Sequence, residues 1–252
     1  MQGVRIDRVL MRRPDLRYPL PDDFVHRLQG QTVRAVRRRA KYLAAELSSG
    51  DLLLAHLGMS GSFRVEPSPV LFLPHDHVVF EMASGSTVVF NDPRRFGSMR
   101  IVDRTRVLDD PVLSALGPEP LARRFDGRAL ALALGRRTTS LKAALSDQRV
   151  VAGLGNIYVC EALHRARLSP RRKASTLMMR SGEPRPQAYA LVQAIKDVLA
   201  DAIARSHRAG SSDRFRVYDR EGLRCLRRGC RGVIRRIVQG GRSTFFCPVC
   251  QR

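Results

Sequence analysis

Residues 150–163 read VVAGLGNIYVCEAL, and two glycines in that stretch decide how the second half of the chain is built. Gly153 and Gly155 permit left-handed backbone and close approach, and Asn156 stands where a helix N-cap would stand. SLKAALSDQ before it and NIYVCEALHRA within and after it both carry helical periodicity, while QRVVAGLG between them is too short for an element of its own. The stretch predicts helix, tight double turn, helix. A helix N-terminus behind a glycine turn offers free N–H groups and a positive dipole end, which suit a phosphate. Taken alone, the same pattern also describes an ordinary capped helix.

Working outward, residues 1 to about 115 read mostly as strand. The opening MQGVRIDRVL alternates apolar Val4, Ile6 and Val9 with Arg5, Asp7 and Arg8. TVRAV, YLAAEL, LLLAHL, SFRV, HVVFEM and TVVF follow, broken by the turns SSGD and ASGS. An antiparallel β-sandwich or barrel is expected. After LGPEP, a linker with two prolines, the periodicity becomes helical in DGRALALALG, in the pair around the double turn, and in PQAYALVQAIKDVLADAIARS. RRKAST and RSGEPRP, near 171 to 186, read as a solvated loop. From 218 onward the chain reads as a small hairpin module held by cysteines. The expectation is an α+β multidomain protein with a sandwich at 1–115, a helical domain at 116–212 and a metal-stabilised hairpin at 218–252.

With 252 residues, 44% of them hydrophobic and 27% charged, the chain can bury a core and is not a disordered tail. It has no apolar run of signal-peptide or membrane-span length, so it reads as cytoplasmic with no membrane partner. Forty-five Lys and Arg against 23 Asp and Glu give a net charge of +22 and a pI near 11.3. Such a field calls for a polyanion, most commonly nucleic acid, although an Arg-rich genome accounts for part of it. Lys stands only at 41, 142, 173 and 196, and Arg supplies the other 41 basic residues. A site content with any cation would have drifted to Arg, so each lysine is informative. Only Lys can serve as an amine nucleophile, which singles out Lys41.

Four of the five cysteines lie in the last 28 residues, as Cys225-x4-Cys230 and Cys247-x2-Cys250 separated by 16 residues. Two such pairs suit one tetrahedral Zn²⁺, closed by four thiolates and therefore structural. About 30 residues bury too little apolar surface to fold alone, and metal ligation supplies the deficit. Cys160, inside a predicted helix, reads as a core thiol. Arg242 falls at a Gly-flanked hairpin tip, where a guanidinium reaches a phosphate or simply faces solvent.

RRRAKYL (37–43), HLGMSGSFRV (56–65), HDHV (75–78), NDPRRFG (91–97), LGPEPL (116–121), VVAGLGNIYVCEAL and GRSTFFCPVCQR (241–252) together resemble the formamidopyrimidine-DNA glycosylase family, in the correct order from end to end. The resemblance implies a β-sandwich and a helix-two-turn-helix domain with a zinc finger, bending duplex DNA that carries an oxidised purine or an abasic site. The damaged base is flipped out of the stack, as chemistry on a base requires. By position, Met59, Arg94 and Phe96 resemble the residues inserted into the vacated gap, an apolar wedge offsetting lost stacking and the Arg bonding the orphaned cytosine. His56, Arg95, Lys142, Asn156 and Arg242 resemble phosphate contacts near the lesion. His75 matches a further DNA contact, with a buried structural His as the alternative, and Arg137 matches another in a shifted register, RRTTSLK. Lys41 matches the family's lysine beside the lesion and, with Arg242, forms the implied catalytic group. A monomeric, nucleoid-associated bacterial repair protein with one structural Zn²⁺ is implied.

Two departures qualify the chemistry. The family opens on an N-terminal Pro-Glu helix whose proline amine attacks the sugar, whereas MQGVRIDRVL aligns with the strand that follows. AGSSDRFRVYDREG (209–222) reads as a shortened form of the loop that caps the flipped base. The expectations divide accordingly: a glycosylase and lyase whose start lies upstream, an excision-defective protein that binds damaged DNA, or a chain in which Lys41 opens abasic sugars by itself. A zinc-ribbon RNA-binding protein would explain the charge and the cysteines but not HLGMSGS or DPRRFG.

Overall fold

The alternation in the opening residues becomes strand β1 (Ile6–Met11), with Ile6 and Val9 buried and Asp7 and Arg8 exposed. The computed structural model describes residues 1–206 and 215–252, which divide into two units, Met1–Ser114 and Ala115–Arg252.

In the first unit, β1 is followed by a short helix, α1 (Phe24–Leu28), and strands β2 (Val33–Arg39), β3 (Tyr42–Leu47), β4 (Leu52–His56), β5 (Ser62–Pro67), β6 (Asp76–Met82), β7 (Ser86–Asn91) and β8 (Ser98–Val102). They form two four-stranded antiparallel sheets, ordered β1-β6-β7-β5 and β2-β3-β4-β8. This is the expected sandwich. Phe24, Leu28, Val33, Leu47, Phe80 and Phe90 fill the space between the sheets with no exposed surface. The period-2 pattern fixes register, because a slip of one residue would turn every buried side chain outward. Two elements escape the periodicity. Helix α1 has five residues, and only the i,i+4 pair Phe24 and Leu28 marks it. Strand β8 is interrupted by Arg100, whose guanidinium donates to both oxygens of the buried Asp110 at 2.6 and 2.7 Å. A turn of helix, α2 (Pro111–Ser114), closes the unit.

The second unit contains α3 (Gly127–Leu134), α4 (Leu141–Ser146), α5 (Asn156–Arg165) and α6 (Pro186–Ser206). Asp126 caps α3 by accepting from the Ala129 amide at 2.8 Å, and Ser140 does the same for α4 through Ala143 at 3.3 Å. Leu130, Leu134, Leu145, Val151, Leu163 and Leu191 pack together, fully buried. The stretch 171–186 is not the solvated loop that its polarity suggested. A 3₁₀ turn at Ala174–Leu177 drives Ala174 and Leu177 into the helical core with no exposure.

Strands β9 (Arg235–Gln239) and β10 (Arg242–Phe246) pair as a two-stranded hairpin. It belongs to the same unit as the helices: the Ser169 amide donates to the Arg252 carbonyl, the Arg252 amide to Arg167, and the Gln251 side chain to the Leu168 carbonyl at 2.9 Å. No helix among the described residues is long and apolar enough to cross a membrane. Part of the connection read as shortened, residues 207–214, lies outside the described residues.

Candidate nucleic-acid interface

In the first unit, two loops meet backbone to backbone. One runs from the end of β4 through HLGMSG, the other from β7 to β8 through DPRRFG. Gly58 has φ +66°, and a Cβ there would lie 2.4 Å from the Phe96 carbonyl carbon, so only glycine permits this approach. The junction is held by Asp92, which has no exposed surface. One carboxylate oxygen accepts from Ser60 Oγ at 2.5 Å and the other from the Gly97 amide at 2.7 Å. Ser60 Oγ in turn accepts from the Arg94 amide at 3.2 Å, and the Asp92 carbonyl accepts from the Arg95 amide at 3.2 Å. What this rigid base presents is apolar: Met59 is 72% and Phe96 43% exposed, and the Arg94 guanidinium lies 4.8 Å from the centroid of the Phe96 ring. Large apolar side chains held out on ordered polar loops mark a contact surface.

His56 ends β4. Its Nδ1 accepts from the Gly58 amide at 3.0 Å and its ring leans on Tyr42, centroids 5.1 Å apart. Burial, with repulsion from Lys41 and Arg17, holds its pKa below the ordinary histidine value. The ring is therefore neutral, and Nε2–H is its one donor. Lys41 sits with Ala40 in the two-residue turn between β2 and β3, where Ala40 takes φ +54° and Arg38 donates to its carbonyl at 2.9 Å. Arg95, at φ +53°, pairs with Asp15 at 3.0 Å. Arg17 has no counterpart in the sequence reading. Its amide donates to the Gly97 carbonyl at 2.9 Å, bringing an exposed cation beside His56. Nothing in RRPDLRYP distinguishes it from forty other arginines. Of the two histidines in HDHV, His77 is the buried one, its Nε2 lying 2.9 Å from the Asp92 carbonyl, whereas His75 is exposed.

In the second unit, Gly153 takes φ +79°, as the double turn requires, but Gly155 is extended and is itself the N-cap of α5. Asn156 is thus the first helical residue and not the cap. Its Nδ2 donates to the Ser243 carbonyl at 2.8 Å, tying α5 to β10, and its Oδ1 is buried with no partner among the described residues. Gly240 and Gly241, both at positive φ, turn the hairpin and leave Arg242 exposed at its tip. Lys142 was expected at the surface and lies inside, 1% exposed, its Nζ donating to the Gln239 carbonyl at 3.3 Å. Burial, with repulsion from Arg242, lowers its pKa. It supports the hairpin turn from beneath. Arg137 is likewise engaged, donating to Asp147 at 2.9 Å.

The four sulfur atoms of Cys225, Cys230, Cys247 and Cys250 lie within 4.8 Å of one another, with Cys225–Cys250 at 3.8 Å and Cys230–Cys247 at 3.6 Å. A tetrahedron with Zn–S bonds of about 2.3 Å has edges of about 3.8 Å, so the donors fit one Zn²⁺. Burial and the neighbouring thiols push Cys250 up to about 12, and only a cation allows four such groups to ionise together. This is a structural four-cysteine zinc site. Cys160 is a buried core thiol beside it. Glu161 braces the same region, accepting from the amides of Arg216, Val217 and Tyr218 at 2.8 to 3.0 Å.

Residues 1–99 match the family described as formamidopyrimidine-DNA glycosylase N-terminal domain, residues 116–213 the corresponding H2TH domain, and residues 222–252 the zinc finger found in FPG and IleRS. A formamidopyrimidine-DNA glycosylase of Rhodopseudomonas palustris (strain HaA2) is 56% identical over 275 residues, an alignment covering all of this chain and 94% of that protein. One from Bradyrhizobium sp. (strain ORS 278) is 56% identical over 276 residues with the same coverage. Among solved structures, the Lactococcus lactis formamidopyrimidine-DNA glycosylase bound non-covalently to DNA containing an AP site superposes with a TM-score of 0.87 at 30% identity, covering 100% of this chain and 94% of that one. Its complex with FAPY-dG-containing DNA gives 0.86 at 30% identity, covering 99% and 93%. These matches show no loss of the Pro-Glu segment or of the capping loop.

Proposed function

Because this chain belongs to the formamidopyrimidine-DNA glycosylase family, we infer that the groups gathered in its two units serve base excision. The protein is a DNA glycosylase and abasic-site lyase for oxidised purines. The observation that carries the residue assignments is the welded pair of loops on Asp92. In a duplex from which a base has been extruded, Met59 and Phe96 replace the lost stacking. Arg94, already seated on the Phe96 ring, donates to the orphaned base. His56, neutral, donates Nε2–H to a phosphate; Arg95, His75 and Arg17 add contacts from the same face of the sequence. Asn156 and Arg242 hold further phosphates from the second unit, aided by the unpaired amides at the start of α5. Lys142 and Arg137 serve the fold that positions these groups.

Lys41 supplies the amine for abasic-site cleavage. It is the single lysine of residues 1–114, and its neighbour Tyr42 stacks on His56. The amine adds to the aldehyde carbon of the ring-opened sugar and loses water to form an imine. Removal of a C2′ proton then expels the 3′ phosphate. The DNA bound is a duplex, and one copy of the chain suffices. Borohydride trapping on an abasic duplex tests the assignment: a covalent adduct forms with the parent and is lost in both Lys41→Ala and Lys41→Arg. An adduct that persists at the parent's rate in Lys41→Ala assigns the amine elsewhere.

A further inference from the structure

Helix α5 ends against the metal site. His164, one residue from its C-terminus, is 1% exposed, and its Nε2 lies 3.3 Å from Cys225 Sγ. The other ring nitrogen, Nδ1, is buried and has no partner among the described residues. The His164 carbonyl also accepts from the Arg227 guanidinium, two residues beyond Cys225. The last turn of α5 is therefore gripped twice by the knuckle that supplies the first zinc ligand.

A zinc-bound cysteine is a thiolate, which accepts hydrogen bonds and cannot donate one. The proton between Nε2 and Sγ must then belong to the ring, and this fixes the tautomer: Nε2 carries hydrogen and Nδ1 a bare lone pair. The burial of Nδ1 agrees, since an N–H left without a partner there would cost about 1–3 kcal/mol. We propose that His164 is an outer-sphere partner of the zinc site, donating Nε2–H to the Cys225 thiolate and so joining the metal to the helix whose other end carries Asn156. The bond withdraws charge from the sulfur, making it a poorer target for protons and oxidants and retaining the ion. It also explains why a polar ring occupies a helix position packed among Cys160, Val217 and Cys225, where an apolar side chain would fit without needing a partner.

The test uses the full chain carrying zinc, and then cobalt(II) in its place, in the parent, His164→Phe and His164→Gln. Phenylalanine keeps the ring's bulk without a donor; glutamine returns an N–H near Nε2. Zinc release to a chromogenic chelator is expected to be about 10-fold faster or more in His164→Phe and to return to the parent's rate in His164→Gln. The thiolate-to-cobalt charge-transfer band should move to lower energy in the Phe variant alone, a shift that loss of packing does not produce. Equal release by the parent and His164→Phe, or equal loss in both variants, overturns the proposal. Should the Phe variant not fold, nitrogen NMR of the parent's own imidazole decides: an Nε2–H tautomer is expected, and an Nδ1–H tautomer overturns it.

Discussion

Arg94 and Arg242 each stand on a turn between strands, both exposed, and the turns are held by opposite means. Beneath Arg94 lies a buried carboxylate, Asp92, whose oxygens are filled by Ser60 and the Gly97 amide, set into a sandwich with a large apolar core. Beneath Arg242 lies a buried cation, Lys142, on the Gln239 carbonyl, in a hairpin whose own apolar cluster is small and built around cysteines. The first turn inherits its rigidity from the core; the second borrows it from a metal. The two should therefore fail separately.

The largest effect separates them outright. Stripping zinc with a chelator, or Cys247→Ser, should unfold 218–252 at a cost on the order of several kcal/mol, while amide exchange in the sandwich strands stays at the parent's rate. Exchange rising equally in both units would break the comparison.

Asp92→Asn is the matching change in the first unit. An NH₂ group replaces one of two acceptors that both face donors, and the expected loss is about 2–4 kcal/mol in urea titration. Excision should fall further than binding, because Met59 and Arg94 lose their base. A variant with the parent's stability would show that the carboxylate does not carry the junction.

Arg242→Ala and Lys142→Met form a sharper pair. If Arg242 contacts a phosphate, its removal lowers the slope of log affinity against log salt by about 0.9. Lys142, being buried, should leave that slope unchanged when replaced, and its loss should cost little or no stability, since an apolar isostere needs no desolvation. A slope change in Lys142→Met would restore it to the phosphate contacts.

The smallest effect is electrostatic. Hydrogen bonds from Arg149, joined by Arg137, hold the Asp147 carboxyl at about 2, below its ordinary 3.8. A lowered carboxylate pKa stabilises the fold above the unfolded value and loses that contribution as pH falls through the folded one. The parent should thus lose about 1 kcal/mol relative to Asp147→Asn between about pH 4 and pH 2. A constant difference in thermal midpoint across that window would contradict it.

Much of this arrangement was legible in the sequence because it rests on local pattern. Period-2 runs marked seven of the eight strands of the sandwich, the Gly153 turn marked the start of α5, and the cysteine spacing marked the zinc site. What stayed hidden depends on where a chain returns. Nothing near Lys142 says that the hairpin will fold over it, and nothing in RRKAST says that Ala174 and Leu177 will meet the helical core. Asn156 was placed one position early because glycine, which has no capping side chain, took the cap itself. Arg17 gains its place from a backbone bond to Gly97, eighty residues away, which composition cannot signal. His164 reads as a polar residue on a helix until the fold sets Cys225 beside it.

The central claim is that this chain, as it stands, releases oxidised purines from duplex DNA. Incubating it in excess with a duplex bearing one formamidopyrimidine opposite cytosine, and separating free base from DNA by chromatography, measures that step alone. The account predicts release of the damaged base in a single turnover, reduced strongly in Asp92→Asn, with the strand cut at the same position. A mobility shift on that duplex with no base released would contradict it and leave a protein that binds damage without removing it.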